Sequence, residues 1–286
     1  MKFFLTFLLA LLNICINAQD LEKISEEVTE EGLALYRSEM ASWYGTDILK
    51  ENFKNMENIG GYFSYLDDVP KCIFFSKQNK VVATISFPTN YNPANAKIDL
   101  SERDFTSVEA DYFTIRQKAL IRINNDTIFK RYNNANFNLV PIIKKGSKKV
   151  YVLTGASVNN VIIFGNDYLL TFNKDNEVKN VEKLHKGIIV HDIANMGKGS
   201  DASGVHSHVL DNWQQITPTD ICTLMLYQNL TGWETYTTVS KKYASIWNHK
   251  SNRAFVMTTE AFKKIANYQL EKNKKTENKD TQDSKK

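Results

Sequence analysis

Apolar and polar positions follow two different periods along this chain, and the change of period separates helices from strands. Apolar residues at helical spacing, with glutamates near the start, predict a helix from Leu21 to Leu49, although Gly32 interrupts its apolar stripe. A second helical stretch is predicted to end at Gly60-Gly61. Further helices are predicted from Thr106, the N-cap of a capping box with Glu109, to about residue 123, and over residues 217–227 and 259–270.

Short runs rich in β-branched and aromatic residues, separated by turn sequences, predict two groups of strands. The first group is an antiparallel meander over residues 62–66, 71–75 and 81–87. The second forms one continuing sheet, with runs at 139–143, 149–154, 161–164, 167–172 and 187–190. A closing hairpin is predicted at 235–239 and 243–247. The order of elements predicts an α+β protein with a mixed sheet and flanking helices, and a soft boundary near residue 100.

The two ends of the chain differ from the rest in composition. Lys2 followed by an apolar run to Ile16, with Ala18 as the cleavage residue, is typical of a signal peptide over residues 1–18. We therefore expect an exported protein, secreted or periplasmic, that meets the membrane only through export; an uncleaved anchor is the alternative. Residues 263–286 form a charged tail, and from Glu271 onward it has no apolar residue, which predicts disorder.

Charge and cysteine content narrow the classes of partner. The net charge of +4 is small and no basic face is interleaved with aromatic residues, which argues against nucleic-acid binding. Cys72 and Cys222 remain after removal of the signal peptide. In an exported protein they could pair as a disulfide, but their apolar surroundings equally favour buried free thiols.

The candidate chemistry lies in one segment, where His206 and His208 are followed by Thr217 and Asp220. Side chains at i and i+2 of a strand share a face, so both imidazoles can reach one metal ion. Asp220 can add an oxygen ligand from the next element, and three protein ligands with one open position are typical of catalytic zinc. The alternative is structural: Thr217 and Asp220 resemble a capping box, and the histidines alternate on a strand.

This His-x-His pair followed by Thr-x-x-Asp resembles the JAMM motif of the MPN-domain metalloproteases. The resemblance covers roughly residues 101–262, preceded by a helix and meander over 19–100, and it implies an MPN-like, cytidine-deaminase-like layered fold. It also implies that His206, His208 and Asp220 bind zinc, and that Thr217 helps to stabilise the oxyanion. The family's general base is a glutamate upstream of the motif.

Two functions follow from this resemblance. The first is an exported zinc-dependent hydrolase that cleaves a peptide or isopeptide bond in a protein substrate with a metal-activated water. The second is a non-catalytic MPN-like protein that binds a partner in the cell envelope. Between Phe129 and Val205 the only glutamates are Glu177 and Glu182, in or after a predicted hairpin turn. The sequence therefore assigns no residue to the base, which keeps both functions open.

Overall fold

The computed structural model describes residues 2–193 and 203–283, with side chains described for 19–193 and 203–274. The described residues form an α+β protein with several antiparallel sheets, as the pattern predicted. The helices are α1 (Lys2–Asn52), α2 (Ser107–Asn125), α3 (Pro218–Leu226), α4 (Gln228–Thr231) and α5 (Thr259–Asp283). The strands are β1 (Ile59–Leu66), β2 (Pro70–Ser76), β3 (Val81–Ser86), β4 (Lys97–Asp99), β5 (Ala135–Lys144), β6 (Ser147–Ala156), β7 (Val161–Gly165), β8 (Tyr168–Phe172), β9 (Val178–Lys183), β10 (Ile188–Asp192), β11 (Ser203–Ser207), β12 (Thr235–Val239), β13 (Tyr243–Asn248) and β14 (Arg253–Thr258).

The chain divides into two compact units. The larger comprises Thr29–Gly199 and Thr217–Gly232, and the smaller comprises Met1–Val28, Ser200–Ile216 and Trp233–Lys286. The predicted boundary near residue 100 falls inside the larger unit. Among the helices of the described residues, none is both long enough and apolar enough to cross a membrane.

The first sheet of the larger unit is the predicted antiparallel meander, with strand order β1-β2-β3-β4. Alternate side chains of β2 point to opposite faces of this sheet, and both faces are buried. Cys72 and Phe74 pack with α1 through Ala41 and Leu49. The other face, which carries Ile73, packs against α2.

Helix α2 begins at the predicted capping box and lies against two sheets. The Thr106 side chain accepts a hydrogen bond from the Glu109 backbone N–H, and the Glu109 carboxylate accepts one from the Thr106 backbone N–H. Tyr112 packs on the first sheet, while Ile115 packs on the second, whose order is β5-β6-β8-β9. The opposite face of this second sheet meets α1, where Asn138 donates to Glu39.

Two details of the predicted strands are wrong. Gly60 and Gly61 do not end a helix; they lie within β1, where the Gly60 backbone comes so close to β2 that a Cβ atom would be 2.7 Å from the Ser76 carbonyl oxygen. Strand β7 does not continue the second sheet, because it pairs with β10 in a separate antiparallel ribbon. In both places a contact with a strand that is distant in sequence determines the structure, and the local sequence pattern does not indicate that contact.

Helix α1 runs through Gly32 without a break, and the glycine has a packing role. A Cβ atom at this position would lie 2.6 Å from Cβ of Ile221 on α3, so the missing side chain allows the two helices to approach closely.

Of the two alternatives for the cysteines, the structure has the buried thiols, since Cys72 and Cys222 are both free and buried.

The smaller unit contains a mixed sheet, with order β11-β12-β13-β14. Strand β11 runs parallel to β12, and the other pairs are antiparallel. Ser25, in the part of α1 that belongs to this unit, accepts a hydrogen bond from the Val256 backbone N–H at 3.0 Å. Helix α5 continues to Asp283, so residues whose composition predicts a disordered tail are helical; residues 284–286 lie outside the described part.

Candidate metal centre

The first turn of α3 holds Asp220 in a fixed orientation. The backbone N–H and the hydroxyl of Thr217 both donate to Asp220 Oδ2, at 2.9 and 2.7 Å. The Asp220 backbone N–H donates to Thr217 Oγ1 at 3.1 Å, which completes the predicted capping box. Both side chains are buried, with 0% and 1% of their surface exposed. Both carboxylate oxygens also lie close to His185 Nε2, Oδ1 at 3.2 Å and Oδ2 at 3.3 Å.

His185 is a candidate ligand that the sequence did not single out. It follows β9, and its Nε2 atom lies 3.2 Å from Asp220 Oδ1. On the other side of the ring, Nδ1 lies 3.5 Å from Asp167 Oδ2. No spacing signal points to it, because it stands 35 residues before Asp220 and reaches that position only through the path of the chain after β9.

The imidazole of His185 therefore lies between two buried carboxylates. Burial lowers the pKa of His185, but the charges of Asp220 and Asp167 outweigh it, and the pKa is raised overall. Burial raises the pKa of Asp167 to about 6, against the opposing effects of His185 and the Thr154 backbone N–H, which donates at 2.8 Å. A histidine that presents one nitrogen to a carboxylate has its ring orientation and tautomer set by that contact.

His206 and His208 share one face at the C-terminal end of β11, as the spacing predicted. Their Nε2 atoms are 2.8 Å apart, and both side chains are buried. Val205, the residue before His206, points to the other face of the strand and is 65% exposed. The backbone N–H of His208 donates to the Val239 carbonyl oxygen, which holds the end of the strand against β12.

Tyr236 determines which nitrogen of His206 is available. Its hydroxyl lies 3.0 Å from Nδ1 of His206. Gly204 sits directly against the Tyr236 ring, where any side chain at this position would collide with it. The glycine thus belongs to the packing of β11 against β12, and Nε2 of His206 is left to face His208.

Four buried side chains could hold a metal ion: His185, His206, His208 and Asp220. Each offers one ligand atom, and these atoms all lie within 4.8 Å of one another. The three residues predicted from the sequence as ligands are all members. Imidazole nitrogens with one carboxylate suit zinc, and they also suit iron or manganese, so the donors do not define the metal.

The other residues considered from the sequence have different surroundings. Thr217 does not belong to this group of candidate ligands. Its hydroxyl donates a hydrogen bond to Asp220 and lies 3.0 Å from the Thr219 hydroxyl. Glu177 is exposed and forms an ion pair with Lys118 at 2.5 Å. Glu182 accepts a hydrogen bond from Asn180 on the same strand.

Comparison with protein-family models, with curated proteins and with solved structures finds no match to this chain.

Proposed function

We propose that this protein binds one zinc ion through His185, His206, His208 and Asp220. The observation that carries the proposal is the 2.8 Å separation of two buried Nε2 atoms, those of His206 and His208. Two imidazole nitrogens bound to one tetrahedral zinc lie about 3.3 Å apart, so a small opening of this pair would admit the ion. Histidines are scarce here, five in the whole chain, and three of them belong to this group.

The surroundings of the ligands support the same proposal. Metal-binding side chains are commonly held by a second hydrogen bond on the atom that faces away from the metal. Tyr236 occupies that place for His206 and Thr217 for Asp220, and the Asp167 carboxylate lies 3.5 Å from Nδ1 of His185. These contacts orient the donors before a metal binds, which reduces the entropy lost on binding.

The four candidate donors favour a structural zinc site over a catalytic one. A zinc ion held by four side chains has no open position for water, whereas catalytic zinc keeps one. With His185 as the fourth ligand, the non-catalytic function is favoured: an exported, MPN-like protein whose zinc site maintains a surface for a partner in the cell envelope. Thr217 then serves to orient Asp220.

A zinc-dependent hydrolase is the second candidate, and the position of His185 gives it support. Because His185 Nε2 already contacts the Asp220 carboxylate, His185 could act as a hydrogen-bond partner of Asp220 and not as a ligand. The ligand set would then be the three residues that the JAMM resemblance implies. Zinc would supply an activated water for cleavage of a peptide or isopeptide bond. The Thr217 hydroxyl would have to leave Asp220 Oδ2 to donate to an oxyanion.

The first test is zinc content by mass spectrometry of the full chain purified after export. One zinc per chain is expected in the wild type and in the control His191→Ala, whose histidine lies outside the group. The double variant His206→Ala/His208→Ala is expected to contain none. Absence of zinc from the wild type, even after zinc is supplied, would reject both functions.

X-ray absorption at the zinc edge then separates the two functions. Three imidazoles and one carboxylate around the zinc favour the stabilising site, and His185→Ala should reduce the imidazole number to two. Two imidazoles in the wild type, with a water, favour the hydrolase. A chelator that lowers the melting temperature by more than about 5 °C would add weight to a stabilising role, as linkage between folding and binding requires.

A further inference from the structure

A cavity of about 190 Å³ lies within the larger unit, and none of the described residues that line it belongs to the four candidate metal ligands. Helix α1 contributes Glu39 and Trp43 to its lining, and strands β5 to β7 and helix α3 close the other sides. An apolar cavity of about 150 Å³ is known to accept a molecule the size of benzene, so this one can hold a small organic ligand. Its walls combine apolar side chains such as Leu153, Ile163 and Leu226 with a few polar groups.

Glu39 is the charged group of this cavity. Its side chain is 4% exposed, and it accepts a hydrogen bond from the Asn138 amide. Among the hydrogen bonds of the described side chains this is the only one that Glu39 accepts, although a carboxylate can accept about four. A buried carboxylate with so few donors lowers the free energy of unfolding unless a ligand binds to it.

The rest of the lining indicates what would bind there. Among the described residues that line the cavity, none is a lysine, arginine or histidine. The charge of Arg116 lowers the pKa of Glu39, but Arg116 is not among the lining residues, and its guanidinium lies 5.6 Å from the centre of the Tyr62 ring. The Glu39 carboxylate and the side-chain oxygen of Asn138 are both hydrogen-bond acceptors. A positively charged group with several N–H donors would complement them.

Two aromatic rings border the cavity. Trp43 is 43% exposed and meets Tyr227 edge to face, with ring centroids 6.1 Å apart. The indole is thus open to solvent, whereas the Glu39 side chain is buried. Aromatic faces attract cations and also pack against apolar groups.

We propose that this cavity binds a small ligand with a primary ammonium group attached to an apolar body. The ammonium group would donate to Glu39 and to the side-chain oxygen of Asn138, and the apolar body would pack between Trp43, Tyr227 and Leu226. Burial raises the pKa of Glu39 to about 7, and a bound cation would offset that effect by stabilising the ionised carboxylate. The inference does not depend on the metal centre.

Calorimetric titration of the full chain with three probes of one shape tests the proposal. Benzylamine is expected to bind at least tenfold more tightly than benzyl alcohol at pH 8, and benzoate is expected not to bind. Glu39→Gln should lower the affinity for benzylamine at least tenfold and change the affinity for benzyl alcohol by less than twofold. Glu51→Gln, an exposed position on the same helix, is the matched control and should change nothing.

A second variant distinguishes loss of the binding site from misfolding caused by substitution of Glu39. Leu226→Trp would fill the cavity and leave the carboxylate in place, and it should abolish benzylamine binding while the circular dichroism spectrum stays unchanged. Equal affinity for benzylamine and benzyl alcohol, a preference for benzoate, or no saturable binding of any probe by the folded wild type would overturn the proposal.

Discussion

The hydroxyl of Tyr236 lies 3.0 Å from Nδ1 of His206, and the two residues come from neighbouring parallel strands. Tyr236 stands opposite Gly204 in the register of β11 and β12, and its ring covers that glycine. The small residue two positions before His206 is therefore what lets the tyrosine reach the imidazole. Sequence spacing explains why the histidines share a face, and this contact explains why Nε2 is the nitrogen that faces inward.

Tyr236→Phe should weaken zinc binding by about tenfold, because partners of metal-binding histidines typically account for 10–100-fold in affinity. Competition with a chromophoric chelator measures the change. Tyr243→Phe on the adjacent strand β13 removes a hydroxyl from the same sheet and should leave the affinity unaltered. Equal effects of the two substitutions would mean that Tyr236 does not orient His206.

Gly32→Ala should destabilise the protein although alanine is the better helix former. The added Cβ would lie 2.6 Å from Ile221 Cβ, and such overpacking costs about 1–3 kcal/mol, more than the gain of about 1 kcal/mol in helix propensity. Urea unfolding measures the difference. Gly187→Ala, where an added Cβ meets nothing within 4 Å, should fall within about 0.5 kcal/mol of the wild type. A stabilised Gly32→Ala would show that α1 and α3 do not pack this closely.

Glu39 should make stability depend on pH in a direction opposite to that of most carboxylates. Burial raises its folded pKa to about 7 from an ordinary value near 4.5, so the fold binds a proton that the unfolded chain releases. Stability from this group is present below about pH 4.5 and is lost as the pH rises through about 7. The free energy of unfolding of the wild type minus that of Glu39→Gln should fall by about 3 kcal/mol between pH 4.5 and 8. A difference that stays constant with pH would contradict the buried, uncompensated carboxyl.

Arg103→Met should cost about 3 kcal/mol at pH 7, because it leaves the buried Glu109 carboxylate without its bidentate partner. Burial raises the pKa of Glu109, but Arg103 and the capping hydrogen bonds outweigh it and lower the pKa overall. The contribution of this pair is therefore present above about pH 4.5 and lost as the pH falls through the lower folded pKa.

The exposed pair of Lys80 and Asp104 provides the comparison for Arg103. Lys80→Met breaks an ion pair of similar length, but because water screens this pair, the substitution should destabilise the protein much less than Arg103→Met does. Guanidinium denaturation at pH 7 and pH 3 measures both variants, and the cost of Arg103→Met should shrink in acid. A cost for Lys80→Met as large as that for Arg103→Met would mean that burial does not decide the strength of these pairs.

Local patterns predicted those elements whose cause is local. The capping boxes at Thr106 and Thr217 mark the starts of α2 and α3 in the structure, since a cap is a contact between residues three positions apart. The first meander and the hairpin of β12 and β13 were predicted with boundaries within a few residues. The prediction was wrong at Gly60-Gly61 and for the partner of β7, where a distant strand decides the conformation.

The sequence by itself determined the periodic features of the site: the two-residue spacing that places His206 and His208 on one face, and the three-residue spacing that ties Asp220 to Thr217. Only the tertiary structure decided that His185 joins them, that Asp167 and Tyr236 orient the imidazoles, and that Glu39 lines a cavity. The physical reason is distance along the chain. Strand and helix periods carry information over a few residues, whereas these contacts depend on how separate elements pack, and no local spacing encodes that.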